Sequence, residues 1–313
     1  MANLIQAKTL IATLATETAL VVDCRYLLTD PQAGFKAYQE SHIAGAHYLN
    51  LSSDLSGSGP ANMGRHPLPS AARFGAILAN IGFGTDRQVI AYDDAGGQFA
   101  ARFWWLCKWA GFDQVALLDG GWQAWIAAQG PVSSDVLVND MANVLVNVVA
   151  KALAGGGDVL HAAALELVER PDLLVSAADL KQHLSQSNCR LIDARAAIRY
   201  RGEQEPIDPV AGHIPGAVNH PVSNNLDSEL RFLPADLLAE KFTALLAGSR
   251  PDQVIHSCGS GVTACHNLFA MELAGLVGSR LFAASWSGWI AEPGNLYVQG
   301  DSGDEGDLLR VDP

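Results

Sequence analysis

The chain has few of the residues that would mark a disulfide-linked, zinc-binding or nucleic-acid-binding protein. It has five cysteines in 313 residues and no Cys-x-x-Cys pair, which argues against a disulfide framework and weakens any metal site. Lys and Arg number 20 against 33 Asp and Glu, so the net charge is −13. Because there is no run of Lys or Arg, we expect neither nucleic acid nor an anionic membrane surface as a partner.

The sequence also lacks long uninterrupted apolar runs. No stretch approaches the ~20 apolar residues that a membrane-spanning helix needs, and the beginning of the chain lacks the apolar core of a signal peptide. We therefore expect a cytoplasmic protein, in a compartment where thiols stay reduced. Hydrophobic residues make up 49% of the chain and charged residues 17%, and its length fits two globular domains.

What the sequence does contain is a duplication. Several landmarks occur twice in the same order, at offsets between 164 and 171 residues. They are Asp23-Cys24-Arg25 with Asp193-Ala194-Arg195, His42-Ile43-Ala44-Gly45-Ala46 with His213-Ile214-Pro215-Gly216-Ala217, and Asp119-Gly120-Gly121-Trp122 with Ala283-Ala284-Ser285-Trp286. Such self-similarity predicts a duplicated domain, and the Asp-x-Arg pair of each copy predicts a salt bridge between strand and loop. The same alignment pairs Asp94 with Cys258, so only the second copy has a cysteine there.

Each copy alternates apolar strand candidates with helical runs. The predicted strands are 20–22, 88–92 and 115–118 in the first copy and 191–192, 253–256 and 280–283 in the second. The predicted helices are 7–14 and 100–110, then 177–184 and 264–274. Strands that are apolar on both faces predict an α/β fold, with a parallel sheet flanked by helices in each copy. The predicted domains are 1–130 and 173–313, joined by a connector over 131–172 with room for one helix.

The segment Cys258-Gly259-Ser260-Gly261-Val262-Thr263 lies between a predicted strand and a predicted helix. Two glycines allow a tight backbone curl in which successive N–H groups point at one spot. The N-terminus of the following helix adds partial positive charge there. Such a cradle favours a thiolate, which makes Cys258 a candidate nucleophile. The alternative is that Cys258 is a small buried apolar residue, as most free cysteines are.

Two other interpretations of this loop are weaker. A cysteine-dependent phosphatase has an arginine six residues after the cysteine, where this chain has Ala264. A dinucleotide-binding fingerprint matches Gly259, Gly261 and Ala264, but the acidic residue expected about 20 positions on is absent, since Ser279-Arg280 occupies that stretch.

With these motifs, the chain resembles the two-domain rhodanese-type sulfurtransferases throughout, except for the connector. Further matches are Gly-Arg-His-Pro-Leu-Pro at 64–69, Arg199-Tyr200-Arg201-Gly202 and Ser285-Trp286-Ser287. The loop resembles that of the 3-mercaptopyruvate branch, because the thiosulfate-preferring branch usually carries bulky basic residues where this chain has Gly259 and Ser260. The resemblance implies tandem rhodanese-like domains, of which the first is catalytically inactive.

The resemblance also implies a mechanism and a site. Cys258 takes sulfur from a small-molecule donor as a persulfide, and a thiol acceptor such as thioredoxin or a low-molecular-weight thiol, or cyanide, removes it. No cofactor or metal is needed. The N–H groups of the loop, Gly259, Gly261, Val262 and Thr263 among them, and the hydroxyls of Ser260 and Thr263 stabilise the charged sulfur. Arg199 binds the donor carboxylate, whereas a second family arginine is replaced by Asp208.

His66 resembles a histidine that the mercaptopyruvate branch uses together with the loop serine and an acidic residue. Asp54 is the best acidic candidate, although a slip in the alignment places Ser52 there instead. Two other functions stay open. One is a thiosulfate:cyanide sulfurtransferase, and the other is a non-catalytic module that only carries a persulfide for a protein partner.

Overall fold

A computed structural model describes residues 3–16, 19–84, 87–137, 165, 167–186, 189–301 and 308–312. They form two compact units. The N-terminal unit consists of Asn3–Gly57 and Pro69–Arg170, and the C-terminal unit consists of Ser58–Leu68 and the chain from Pro171 onward. The predicted boundaries at 130 and 173 stay a prediction, and most of the proposed connector, including any helix over 138–164, lies outside the described residues.

The N-terminal unit is built on a parallel sheet of five strands. In spatial order these are Asn3–Ile5, Val115–Leu118, Gln88–Tyr92, Ala19–Asp23 and His47–Tyr48. A separate antiparallel pair joins His42–Ile43 to Val132–Ser133. The α-helices among its described residues are Ala7–Leu14, Ala33–Glu40, Ala71–Asn80, Ala100–Trp109 and Gly121–Ala127.

Both faces of this sheet carry buried apolar side chains. Val21, Ile90 and Leu118 belong to one cluster of buried side chains, and because side chains alternate along a strand, their neighbours point to the other face. Those neighbours are also buried: Leu20, Val89 and Leu117 are at most 3% exposed. A sheet that is apolar on both faces requires helices on both sides, as the sequence pattern predicted.

The C-terminal unit repeats this architecture with four parallel strands. In spatial order they are Arg280–Leu281, Val254–Ser257, Arg190–Asp193 and Val218–Asn219, and Leu296–Tyr297 pairs separately with Leu309–Arg310 in the antiparallel sense. The α-helices among its described residues are Ala177–Ser185, Ala197–Tyr200, Ala235–Leu246, Ala264–Leu273 and Ser285–Trp289; short 3-10 helices span Ala61–Met63, Pro171–Leu173, Val222–Asn225 and Pro251–Gln253. The predicted fold, two α/β units with parallel sheets, is confirmed.

The internal contacts of the two units also repeat. Arg25 donates to the carboxylate of Asp23 and Arg195 to that of Asp193, each over 2.7 Å and each with both side chains buried. These are the predicted strand-to-loop salt bridges. Burial alone would lower the pKa of Arg195, but the neighbouring Asp193 outweighs this and raises it. Both arginines therefore stay charged inside the protein.

Strand register corrects one part of the sequence alignment. Asp23 lies opposite Tyr92 in the first sheet, and Asp193 lies opposite Ser257 in the second. The residue that follows Ser257 is Cys258, so its equivalent in the first copy is Asp93 and not Asp94. The pairing of Asp94 with Cys258 was wrong because the first copy has one more residue between the strand end and its tryptophan, Trp122, than the second has before Trp286.

Candidate functional site

Cys258 lies directly after the strand Val254–Ser257, at the carboxyl end of the parallel sheet. Its backbone is held at both ends, because its N–H donates to Ser285 Oγ over 3.0 Å and its carbonyl accepts from the Trp286 N–H over 3.0 Å. The Cys258 side chain is buried, at 2% exposure. A short loop then leads into the helix Ala264–Leu273.

The loop directs a backbone donor at the Cys258 sulfur. The Gly261 N–H donates to Cys258 Sγ over 3.1 Å. Gly261 has φ +75°, and a Cβ built there would lie 2.3 Å from the Ala283 carbonyl oxygen. Only glycine fits both this backbone conformation and this close approach. The two constraints together explain the glycine that the sequence pattern singled out.

Three other cysteines illustrate the apolar alternative that we considered for Cys258. Burial raises the thiol pKa well above its usual value at Cys24 and Cys107. Cys265 is fully buried, and its thiol donates to the Gly261 carbonyl over 3.3 Å. Since burial in apolar surroundings makes a thiol unreactive, the N–H donor at its sulfur distinguishes Cys258 from Cys24 and Cys107.

Ser260 and His66 come together in the C-terminal unit, as the resemblance implied. His66 Nδ1 and Ser260 Oγ are 2.8 Å apart, and both residues are buried, at 8% and 5% exposure. His66 belongs to the segment Ser58–Leu68, which the chain contributes to this unit from its first half. The pair can therefore hold or move a proton next to the Cys258 loop.

Asp54, the acidic residue that we predicted for this pair, belongs to the N-terminal unit. There its carboxylate accepts from the Asn50 N–H over 2.7 Å, and burial raises its pKa. The alternative residue, Ser52, has its hydroxyl 2.5 Å from the Tyr26 hydroxyl in the same unit. A role of Asp54 with His66 stays a prediction.

Arg199 lies beside the Cys258 loop, together with an arginine that sequence reasoning missed. A Cβ placed on Gly259 would lie 3.1 Å from Arg65 Nη2 and 3.6 Å from Arg199 Nη1. Arg65 directly precedes His66 and is fixed through its backbone, because its N–H donates to Ser287 Oγ over 3.1 Å. The loop is thus faced by two guanidinium groups.

Two buried carboxylates accompany these arginines. Asp208 accepts from both Arg65 and Arg199, and Glu205 accepts from Arg199 over 2.6 Å. Burial raises the pKa of Asp208, and the neighbouring Glu205 raises it further, while Arg65 lowers it. Asp208, at a position where the resemblance implied an arginine, therefore accepts hydrogen bonds from two arginines in this chain.

The remaining predicted loop residues, Val262 and Thr263, lead into the helix Ala264–Leu273. Val262 is 3% exposed, and its carbonyl accepts from the Cys265 N–H over 3.0 Å. Thr263 is the N-cap of the helix Ala264–Leu273, but its hydroxyl makes no capping hydrogen bond. Ser285, which sequence reasoning treated only as part of a family match, holds the Cys258 backbone. Its contact with Cys258 spans 27 residues, so no local pattern reveals it.

In the first copy, the equivalent loop surrounds the side chain of Asp93 instead of a cysteine. The Asp93 carboxylate accepts four backbone N–H bonds of 2.7–2.9 Å, from Ala95, Gly97, Phe99 and Ala100. Asp93 is fully buried. The first copy therefore has a buried carboxyl group at the position equivalent to Cys258, held by the N–H groups of a strand-to-helix loop. Burial raises the pKa of Asp93, and the four N–H donors act against that rise.

Comparison with known proteins agrees with this geometry. The family model described as Rhodanese-like domain matches residues 6–128 and 176–292. A probable 3-mercaptopyruvate sulfurtransferase of Pseudomonas aeruginosa is 45% identical over 96% of this chain and 99% of its own length. The thiosulfate sulfurtransferase of Rattus norvegicus is more distant, 31% identical over 90% of this chain and 89% of its own.

Among solved structures, the crystal structure of SseA from Escherichia coli, described as a 3-mercaptopyruvate sulfotransferase, superimposes with a TM-score of 0.71. It is 24% identical and covers 91% of this chain and 99% of that chain, which supports the fold. Among the described residues, no helix has the length and apolar character needed to cross a membrane. The duplicated α/β units, the cysteine loop and the family match lead to one conclusion: the chain belongs to the rhodanese-like family, as a sulfurtransferase with two rhodanese-like domains.

Proposed function

We propose that the protein transfers a sulfur atom from 3-mercaptopyruvate to a thiol or cyanide acceptor, through a persulfide on Cys258. The observation that carries this proposal is the 3.1 Å approach of the Gly261 N–H to the Cys258 sulfur. A backbone donor preorganised at a charged sulfur stabilises both the attacking thiolate and the persulfide formed from it. The 45% identity to a probable 3-mercaptopyruvate sulfurtransferase supports the choice of donor.

In the first half-reaction, the Cys258 thiolate attacks the thiol sulfur of the donor. An S–S bond forms and the carbon–sulfur bond of the donor breaks, so the electron pair stays on carbon as the enolate of pyruvate. One proton converts this enolate to pyruvate. Ser260, at 2.8 Å from His66 Nδ1, is the group to which we assign delivery of that proton or of a hydrogen bond to the developing charge.

In the second half-reaction, an acceptor thiolate attacks the outer sulfur of the persulfide. This releases the Cys258 thiolate and leaves the acceptor as a persulfide, whereas cyanide leaves as thiocyanate. The acceptors that we propose are thioredoxin or a low-molecular-weight thiol. No cofactor takes part in either half-reaction, because both are displacements at sulfur.

Thiosulfate is the alternative donor, and a specific observation favours it. Gly259 and Ser260 supply no charge, but Arg65 and Arg199 place two guanidiniums over the loop, and thiosulfate is a dianion. Asp208 and Glu205 offset these charges. We therefore expect the monoanionic mercaptopyruvate to have the higher kcat/KM of the two donors, measured side by side at one salt concentration.

The test of the proposed chemistry uses Cys258→Ser and intact-mass measurement. After treatment with mercaptopyruvate, the wild-type protein should gain the mass of one sulfur atom on Cys258, and the variant should gain none and lose turnover. Cys107→Ser is the matched control and should keep both properties, because Cys107 is fully buried. Sulfur found on Cys265 or Cys107 while Cys258 stays unmodified would overturn the assignment. A persulfide that forms without turnover by any thiol or cyanide would favour a carrier module instead.

A further inference from the structure

Two guanidinium groups from distant parts of the sequence converge on the Cys258 loop. A Cβ built on Gly259 would lie 3.1 Å from Arg65 Nη2, and 3.6 Å and 3.7 Å from Arg199 Nη1 and Nη2. Arg65 Nη1 and Arg199 Nη2 also donate to Asp208. We infer that Arg65 and Arg199 together bind the carboxylate of the sulfur donor, and that Asp208 holds both guanidiniums from their buried side. The identity of that donor rests on the function proposed above.

The exposure of the three side chains supports this division of roles. The Asp208 side chain is 3% exposed, whereas those of Arg65 and Arg199 are 29% and 17% exposed. The Asp208 carboxylate is therefore withdrawn from solvent, while part of each arginine side chain stays accessible to an anion. Two planar forks fixed by a shared acceptor are preorganised for a carboxylate, which lowers the entropy lost on binding.

Arg65 is also fixed along its backbone. Its N–H donates to Ser287 Oγ over 3.1 Å, and a Cβ on the preceding Gly64 would lie 2.5 Å from the Ala284 carbonyl oxygen. The segment that carries Arg65 is thus packed closely on the start of the helix Ser285–Trp289. Because the same helix anchors the Cys258 backbone through Ser285 and Trp286, Arg65 and the nucleophile share one rigid support.

Asp208 makes this site selective for anions of low charge. The donor carboxylate approaches two arginines whose charge Asp208 and Glu205 already offset, so each further negative charge on the donor is held less favourably. Asp208→Asn keeps the size of the side chain and removes its charge. It should therefore raise kcat/KM for thiosulfate more than it raises kcat/KM for mercaptopyruvate.

The first experiment measures the anion preference of the loop without a sulfur donor. Cys258 is alkylated with iodoacetate and with iodoacetamide, which differ in a carboxylate, and the labelled peptide is quantified. Arg65→Met should lower the ratio of the iodoacetate rate to the iodoacetamide rate by about ten-fold, the loss expected for one charge-assisted hydrogen bond. Asp208→Asn should raise that ratio. Arg250→Met is the control, since Arg250 is an exposed arginine paired with Asp252, and should leave the ratio unchanged.

The second experiment separates binding from structural damage. Arg65→Met should raise KM for mercaptopyruvate about ten- to a hundred-fold, while turnover of mercaptoacetone, the analogue without the carboxylate, should stay as in the wild type. Arg65→Lys should recover part of the loss, because it restores the charge but not the planar fork. An unchanged alkylation ratio in Arg65→Met, or equal losses on mercaptopyruvate and mercaptoacetone, would overturn the inference. A wild-type protein that uses no mercaptopyruvate would refute the proposed function, whereas the alkylation ratio would still report on Arg65.

Discussion

Replacing Ser260 with alanine tests whether the Ser260–His66 pair handles a proton or only packs beside the loop. The hydroxyl lies 2.8 Å from His66 Nδ1, and alanine removes it while adding no atoms. As a hydrogen bond alone, this contact contributes about 0.5–1.5 kcal/mol. That range corresponds to a loss of roughly two- to thirteen-fold in kcat/KM for any donor.

A proton transfer predicts a larger and donor-dependent effect. Formation of pyruvate from its enolate needs one proton, whereas transfer from thiosulfate releases sulfite and needs none at carbon. General acid catalysis contributes about 10²- to 10⁴-fold. We therefore expect Ser260→Ala to lower kcat for mercaptopyruvate by at least about 100-fold, and to lower kcat for thiosulfate by no more than about thirteen-fold.

The assay is steady-state turnover of both donors by the wild type, Ser260→Ala and Ser260→Thr, with cyanide as the common acceptor. Ser260→Thr keeps a hydroxyl and should retain most of the activity on mercaptopyruvate. Equal losses on the two donors in Ser260→Ala would show that the hydroxyl acts in the attack on sulfur, and the assignment of the proton would be wrong.

Three further predictions concern charge and stability. Arg199→Ala should raise KM for mercaptopyruvate about ten- to a hundred-fold, and unchanged kinetics would mean that Arg199 pairs with Glu205 and Asp208 without binding the donor. Asp93→Asn should lower the free energy of unfolding by about 2–5 kcal/mol, because the asparagine amide turns its own donors toward two of the four backbone N–H groups. The control is Asp94→Asn at an exposed position, which should change the free energy of unfolding by less than about 0.5 kcal/mol. Denaturant titration of both variants checks this. Burial, and next the nearby His220, lower the pKa of His256 from 6.5 to about 3. Its stabilising contribution is therefore complete above pH 6.5 and is lost toward pH 3 at up to about 1.4 kcal/mol per pH unit, and His256→Gln should flatten this dependence in unfolding curves recorded at several pH values.

Local sequence patterns predicted many of the strands and helices, because the spacing of apolar residues that are close in sequence reflects which side chains a strand or helix buries. Ala7–Leu14, Gln88–Tyr92 and Val115–Leu118 have the predicted bounds, and the helix Ala264–Leu273 ends one residue earlier than expected. Helices such as Ala71–Asn80 and Ala235–Leu246 were not predicted. The cysteine loop was found because its glycines and its position between strand and helix are also local features.

The residues whose roles sequence reasoning missed make contacts with residues that are distant in sequence. Arg65 and Asp208 pair across 143 residues, so no window of sequence shows that one explains the other. One signal was available: the resemblance implied an arginine at the position of Asp208, and an acidic residue there calls for a compensating cation elsewhere. Asp93 was missed because the alignment was anchored at Trp122, and only the strand register reveals the extra residue before it.

The segment Ser58–Leu68 also bears on the order in which the protein is completed during synthesis. Chain on both sides of this segment belongs to the N-terminal unit, which has all its residues once Arg170 is made. Asp208 and Ser287, which hold Arg65 in place, leave the ribosome much later than Arg65 itself. Because domains generally fold as units from the N-terminus, we expect Arg65 and His66 to gain their contacts in the C-terminal unit only after the helix Ser285–Trp289 has been made. A chain that stops before that helix would lack the hydrogen bond that the Arg65 N–H donates to Ser287 Oγ.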